Sequence, residues 1–130
     1  MELPAIVAAL VLLQYSRFVW LAGGARGRFD VPAPAITGNE SFERQLRVQS
    51  NTVEQLVIFL PALFLFAHFV HAGAAAGLGL VFLVGRELYA RAYVSNPARR
   101  GPGFLLTVLS NLALTIGTLI VFFGQNLFLS

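Results

Sequence analysis

Cysteine is absent from this chain of 130 residues, and so is lysine. Without a thiol there is no disulfide, no thiolate metal site and no protein sulfur nucleophile, so any sulfur chemistry must use a sulfur brought by a ligand. Charge is scarce as well: 12% of the residues are charged, against about 25% in an ordinary soluble domain. So few charges cannot build a water-facing shell. With 57% hydrophobic residues and a mean hydropathy of +0.74, the composition excludes a soluble enzyme and points to a polytopic membrane protein. Two histidines, His68 and His71, are too few for a metal cluster, so no metal site is expected and the pair reads as a packed or interfacial polar contact. No zinc signature or serine triad occurs, and the Gly73 to Gly79 stretch is too apolar to cradle phosphate. A nucleic-acid partner is not expected.

What is present is arginine. All nine basic residues are of this type, against six acids, for a formal charge of +3. Arginine offers a planar fork of donors that grips a carboxylate or thiolate, so the bias suggests anion binding, although genomic base composition would produce it equally well.

The apolar runs set the architecture. Leu3 to Gly24 is long enough to span, since about 20 residues cross the hydrocarbon core. Its Met-Glu-Leu-Pro start lacks the basic leader of a secretory signal and is expected to be an uncleaved span. Gly23, Gly24 and Gly27 are expected to break that helix ahead of the proline-rich loop Val31-Pro32-Ala33-Pro34. Leu56 to Gly85 is uncharged for thirty residues, too long for one helix and too short for two. With a break at His71-Ala72-Gly73, the second helix must start inside the polar stretch Ser41 to Gln55. The third must run through Arg86, Glu87 and Arg91 until Asn96-Pro97 stops it. The expected fold is all-α: one domain over residues 1-130 with four spans, about 3-24, 42-71, 74-95 and 104-129, and a kink at Pro61.

Eight of the nine arginines flank the connections between spans one and two and between spans three and four. The positive-inside rule therefore puts both connections in the cytoplasm and both chain ends outside. Arg17 is the exception. It lies within the first span and must snorkel, pair or face a protein interior.

The length argument also forces polar residues into helices. Arg44, Arg47, Asn51 and Glu54 are spaced 3, 4, 3 and share one face; Arg86, Tyr89 and Tyr93, spaced 3 and 4, share another. A charge at mid-bilayer costs about 2.5 to 3.5 kcal/mol on the most lenient scale, so Glu54 needs a partner. That partner is either an arginine of its own or an adjacent helix, or the ammonium of a ligand held in a polar pocket whose arginines meet the ligand's carboxylates.

The run Phe42-Glu43-Arg44-Gln45-Leu46-Arg47-Val48-Gln49-Ser50-Asn51-Thr52-Val53-Glu54, followed by an aromatic-rich apolar stretch with Pro61, resembles the MAPEG family, the membrane-associated proteins in eicosanoid and glutathione metabolism. The likeness extends from Arg26 through Arg86, Tyr89 and Tyr93 to Arg100 and Pro102, and the branch it most resembles contains glutathione transferases. Gln55 departs from it, standing where better-known members carry tyrosine.

The resemblance implies a left-handed four-helix bundle assembled as a homotrimer, with glutathione bound between subunits at the cytosolic end. It implies that Arg47, Asn51 and Glu54 hold the glutamyl and peptide portions and that Arg26 arrives from the adjacent subunit. Tyr89 and Tyr93 would line the pocket, Arg86 would support it, Gln49 would make a polar contact, and Arg100, preferred by spacing with Arg99 as the alternative, would activate the thiol. A free thiol has a pKa of about 8.5 and reacts as its thiolate, so a permanently charged guanidinium beside it raises the reactive fraction without competing for the proton. The implied activity is membrane-bound glutathione transfer, with or without peroxidase activity, on a hydrophobic electrophile or lipid hydroperoxide arriving from the membrane lipids. A bacterial inner membrane is the expected location.

The family also contains a non-enzymatic lipid-binding member, so a non-catalytic scaffold is the alternative. A small transporter using Arg17 and Glu54 ranks last. In the fourth span, Thr107, Ser110, Asn111, Thr115 and Thr118 form a small polar stripe suited to close helix packing, while Phe122, Phe123 and Phe128 are expected to face lipid or neighbouring subunits.

Overall fold

The computed structural model describes residues 1 to 129, with side-chain surroundings through Leu127; the expectation for Phe128 lies outside the described side chains. Four long helices follow one another: α1 (Glu2–Phe29), α2 (Glu40–Phe69), α3 (Ala72–Ser95) and α4 (Gly101–Leu129), with a 3-10 turn at Pro97–Arg99 before the last. Each is long and apolar enough to cross a membrane.

The helix ends have identifiable causes, and some correct the expected boundaries. α1 does not break at Gly23, Gly24 or Gly27 but continues to Phe29. A glycine costs only about 1 kcal/mol against alanine inside a helix, and burial of Ala22 and Ala25 on the same stretch offsets it. Termination comes at Asp30, whose left-handed backbone (φ 54°, ψ 53°) lets its N–H bond back to the Arg26 carbonyl. α2 starts at Glu40 rather than residue 42, because the Asn39 side chain accepts from the Phe42 N–H and caps it. It ends at Phe69, and Pro61 sits inside it without terminating it. α3 starts at Ala72 rather than 74, since His71 Nδ1 accepts from the Ala74 N–H. Asn96 ends α3 as expected, and α4 begins three residues earlier than expected, at Gly101.

α2 and α3 pack on each other and each also packs on α1 and α4, so the central pair separates the outer two helices. The core between them is apolar: Phe59 of α2 stacks on Phe82 of α3 with ring centroids 3.9 Å apart, and Val11, Leu63 and Leu114 are fully buried around them. The outward faces carry exposed apolar side chains such as Leu13, Trp20, Val57, Ile120 and Phe123, the inverse of a water-soluble bundle.

Close approach decides where α4 sits. A Cβ on Gly103 would lie 2.7 Å from Tyr89 Cα and 2.8 Å from the Gly85 carbonyl oxygen, and a Cβ on Gly85 would lie 3.1 Å from the Gly103 carbonyl oxygen. α3 and α4 therefore touch backbone to backbone at their arginine-rich end, the small-residue packing that membrane helices use in place of a hydrophobic drive. Of the polar stripe, Thr107, Ser110, Asn111 and Thr118 are buried, and Asn111 faces α2, where it bonds Gln55. Thr115 is exposed.

Candidate functional site

The glycine contact brings the start of α4 against the last turns of α3, and α2 closes the third side. Between them opens a cavity of about 620 Å³, lined by Arg47, Asn51, Tyr89, Tyr93, Ala98, Arg100, Gly101 and Phe104. That volume suits a small-molecule ligand, for which pockets run about 300 to 1,000 Å³. Five residues singled out from the sequence, Arg47, Asn51, Tyr89, Tyr93 and Arg100, are thus brought together. Tyr89 and Tyr93 form an aromatic wall, their rings 5.5 Å apart and nearly parallel. Arg100 follows the 3-10 turn and donates to the Pro97 carbonyl at 2.8 Å, which leaves the rest of its guanidinium for a guest.

Arg86 is placed differently from a ligand-contacting residue. Its side chain is fully buried beneath the cavity and donates through Nη2 to Asn51 Oδ1 and Thr52 Oγ1, both at 2.8 Å, and through Nη1 to Thr107 Oγ1 at 3.3 Å. Each threonine hydroxyl sends its own proton to a helix carbonyl, Thr52 to Val48 and Thr107 to Gly103, so only lone pairs face the guanidinium. Arg86 also lies over the Tyr89 ring at 4.3 Å. One fork thereby ties α2, α3 and α4 together and fixes the Asn51 amide: with Oδ1 committed to Arg86, the Nδ2 donor is the group left for the cavity. Among the described residues no carboxylate hydrogen-bonds Arg86; its charge is met by these dipoles, with the Glu54 carboxylate acting only through space. The cavity floor is electropositive.

The remaining sequence candidates lie outside the cavity lining. Glu54 is exposed and pairs with Arg47 of its own helix at 3.6 Å, a contact at its edge. Gln49 is half-buried on α2. Arg26 stacks over the Phe42 ring at 4.6 Å and donates to the carbonyls of Ala35 and Val31, at 2.7 and 3.3 Å, which braces the loop between α1 and α2. Arg44, on the same stripe as Arg47, pairs with Glu40 at 2.6 Å and reaches the Val94 carbonyl.

Sequence reasoning missed Ala98, Gly101 and Phe104 as lining residues and Thr52 and Thr107 as the seats of Arg86. Thr52 carried a signal, as a polar residue directly after Asn51 in a segment required to be helical. Ala98 and Gly101 carried none, because their role depends on where α4 enters. Among the described residues no group of three or more His, Cys, Asp or Glu could hold a metal ion.

The MAPEG family model matches residues 3–120. An uncharacterised protein from Synechocystis is 47% identical over 122 residues, 94% of this chain and 89% of that protein. Microsomal glutathione S-transferase 2 from Homo sapiens is 38% identical over 106 residues, 82% of this chain and 72% of its own length. Leukotriene C4 synthase from Bos taurus is 38% identical over 98 residues, 75% of this chain and 65% of its own.

Proposed function

The chain belongs to the MAPEG family and is an integral membrane protein with four apolar helices, and from that premise we propose that it is a membrane-bound glutathione transferase. The observation that carries the proposal is the cavity itself: two arginines, an oriented amide and two tyrosines, with no acid among its lining residues and a buried guanidinium below. Such a site suits a flexible dianionic peptide that must also present a thiolate. The names of two relatives, a glutathione S-transferase and a leukotriene C4 synthase, support glutathione as that co-substrate.

In the proposed reaction Arg47 and the Asn51 Nδ2 bind the peptide portion, with Glu54 taking the ammonium at the cavity edge. Tyr89 and Tyr93 wall the site. Arg100 faces the sulfur, where its fixed positive charge favours loss of the thiol proton to water. The thiolate then forms a carbon–sulfur bond with a lipophilic electrophile as the leaving group departs with the bonding pair. With a lipid hydroperoxide the same sulfur takes the terminal oxygen, the alcohol leaves, and a second glutathione reduces the sulfenic product to disulfide and water.

The proposal extends to a homotrimer in which Arg26 and Gln49, which lie outside the cavity of their own chain, complete a neighbour's site. It also places the arginine-rich end in the cytoplasm, here of a bacterial inner membrane, following the positive-inside rule.

The test is glutathione-dependent displacement of halide from an aryl halide by the purified protein in detergent, with thiolate absorbance followed on mixing. Arg100→Ala should lose about 10²-fold in rate, the usual scale for removing one group that stabilises developing negative charge, with oligomer mass unchanged. A wild-type protein that neither binds nor consumes glutathione, yet retains lipid tightly, overturns the enzyme in favour of the lipid-binding scaffold.

A further inference from the structure

A second charged cluster lies on the other side of α3, between α1 and α3, and takes no part in the cavity. Glu87 accepts hydrogen bonds from Gln14 Nε2 at 3.3 Å, from Arg17 Nη2, and from Arg91 Nε at 3.1 Å. Gln14 also donates to the Leu83 carbonyl at 2.9 Å, which seats it in the α1/α3 seam. Two arginines thus share one carboxylate, and the cluster keeps one net positive charge. Arg17 and Arg91 are 47% and 77% exposed, and among the described residues neither guanidinium makes a second hydrogen bond.

The depth of this cluster makes the surplus charge expensive. α3 has 24 residues, about 36 Å at 1.5 Å per residue, against a hydrocarbon core of about 30 Å. Glu87 stands eight residues before the end of α3, so a centred span leaves it about 9 Å inside the core and Arg91 about 3 Å inside. Guanidinium N–H groups at that level face lipid, where an unpartnered polar group costs several kcal/mol.

The surface around them is shaped for an amphiphile. Toward the helix ends, a hollow of about 310 Å³ has apolar walls, among them Phe18, Leu21 and Val94, and includes the polar side chains Gln45, Arg91 and Ser95. Toward mid-membrane, a hollow of about 430 Å³ is walled by Leu10, Leu13, Leu83 and Val84. Arg17 and Glu87 line both. The groove is therefore apolar along most of its length, and what distinguishes its two ends is that Arg91, Gln45 and Ser95 lie only in the hollow nearer the helix ends, where a headgroup would lie, with Arg17 and Glu87 at the junction.

We propose that the α1/α3 groove is a binding site for an anionic phospholipid of the leaflet at the arginine-rich end, its phosphate held by Arg17 and Arg91 and one acyl chain laid along Leu10, Leu13, Leu83 and Val84. Glu87 is the positioning residue that sets the two guanidiniums side by side. The complementarity is one negative phosphate for one surplus positive charge, and the N–H groups left over by Glu87 are the donors a phosphate accepts. The site rests on the membrane-spanning architecture alone and not on the glutathione cavity.

Native mass spectrometry of the intact oligomer, released from detergent containing phosphatidylglycerol or phosphatidylcholine, tests it. Wild type should retain phosphatidylglycerol in preference to phosphatidylcholine. Arg17→Gln and Arg91→Gln should each weaken that retention about fivefold, the equivalent of roughly 1 kcal/mol per basic residue near an anionic membrane surface. Arg28→Gln, which removes an exposed arginine from the end of α1 outside both hollows, should leave it unchanged. Equal retention of the two lipids by wild type overturns the proposal, as does an equal loss in all three variants, which would mean diffuse attraction. Loss of lipid together with a fall in oligomer mass also overturns it, by making the groove a contact between copies of this chain. The glutathione assay, run on the same samples, reports separately on the cavity.

Discussion

Replacing Gly103 by alanine perturbs the backbone contact that sets α4, one wall of the cavity, against α3. The added Cβ would sit 2.7 Å from Tyr89 Cα and 2.8 Å from the Gly85 carbonyl oxygen, whereas carbon contacts are optimal at about 3.5 to 4.0 Å. Both opposing groups belong to the backbone of a packed helix, so no side-chain rotation relieves the clash, and α3 and α4 must part by about 1 Å. Overpacking of this kind costs about 1 to 3 kcal/mol. The same displacement carries Arg100, Gly101 and Phe104 away from Tyr89 and Tyr93 across the cavity, and a misplacement of about 1 Å at a reacting centre can cost 10²-fold in rate. Gly77→Ala is the matched control, because nothing lies within 4 Å of its added Cβ and alanine is the better helix former by about 1 kcal/mol. Denaturant unfolding in mixed micelles followed by circular dichroism, with glutathione turnover on the same preparations, reads both effects. A Gly103→Ala protein within about 0.5 kcal/mol of wild type and with unchanged turnover would refute the claim that backbone contact positions α4.

Three further perturbations separate bracing from binding. Arg86→Met removes the fork that joins Asn51, Thr52 and Thr107; with buried polar groups left unpaired at about 1 to 3 kcal/mol each, unfolding should shift by at least about 2 kcal/mol and the KM for glutathione should rise as the Asn51 amide loses its orientation. Arg86→Lys, which keeps charge but not the fork, should recover less than half of either effect. Glu54→Gln should change stability by less than about 0.5 kcal/mol, since its partner Arg47 and it are both exposed, while weakening glutathione binding in calorimetry; a stability loss without a binding loss would make Glu54 a brace. Asn111 Nδ2 donates to Gln55 Oε1 at 3.0 Å between α4 and α2, and a double-mutant cycle with Asn111→Leu and Gln55→Leu should give a coupling of about 0.6 kcal/mol, the usual worth of such a bond in a membrane.

The span count was legible because the bilayer fixes a length, and thirty uncharged residues from Leu56 to Gly85 cannot be divided without drawing polar neighbours into helices. The same constraint placed Arg47, Asn51, Tyr89 and Tyr93 at one end of the bundle, where the structure joins them in one cavity. Helix ends were less legible. Local chemistry at Asn39, Asp30 and His71 set them, and the glycines of α1 misled because tertiary packing outweighed their propensity. Arg86 shows a different limit. Its spacing from Tyr89 put both on one face, but whether a guanidinium faces a guest or its own fold depends on Thr52 and Thr107, which lie on two other helices. The Arg17 partner was equally out of reach, since Glu87 is seventy residues away along the chain.

What distinguishes the nine arginines is therefore not position in the sequence but how much of each guanidinium the protein already uses. Arg86 commits both Nη groups to two hydroxyls and an amide, and Arg44 commits both to a carboxylate and helix-end carbonyls. Arg26 commits Nη1 to two loop carbonyls, which leaves its other donors for the neighbour's site in the proposed homotrimer. These three hold the bundle's arginine-rich end together. Arg100 has given up one donor to Pro97 and Arg47 makes a single exposed pair, and both line the cavity. In a medium where an unmet N–H is costly, a guanidinium that folding leaves half-used needs water or an anion, and a cavity lined by two of them above a third, buried charge favours the anion. The chain's lack of cysteine then matters again: the negative sulfur such a site would stabilise has to arrive with the ligand.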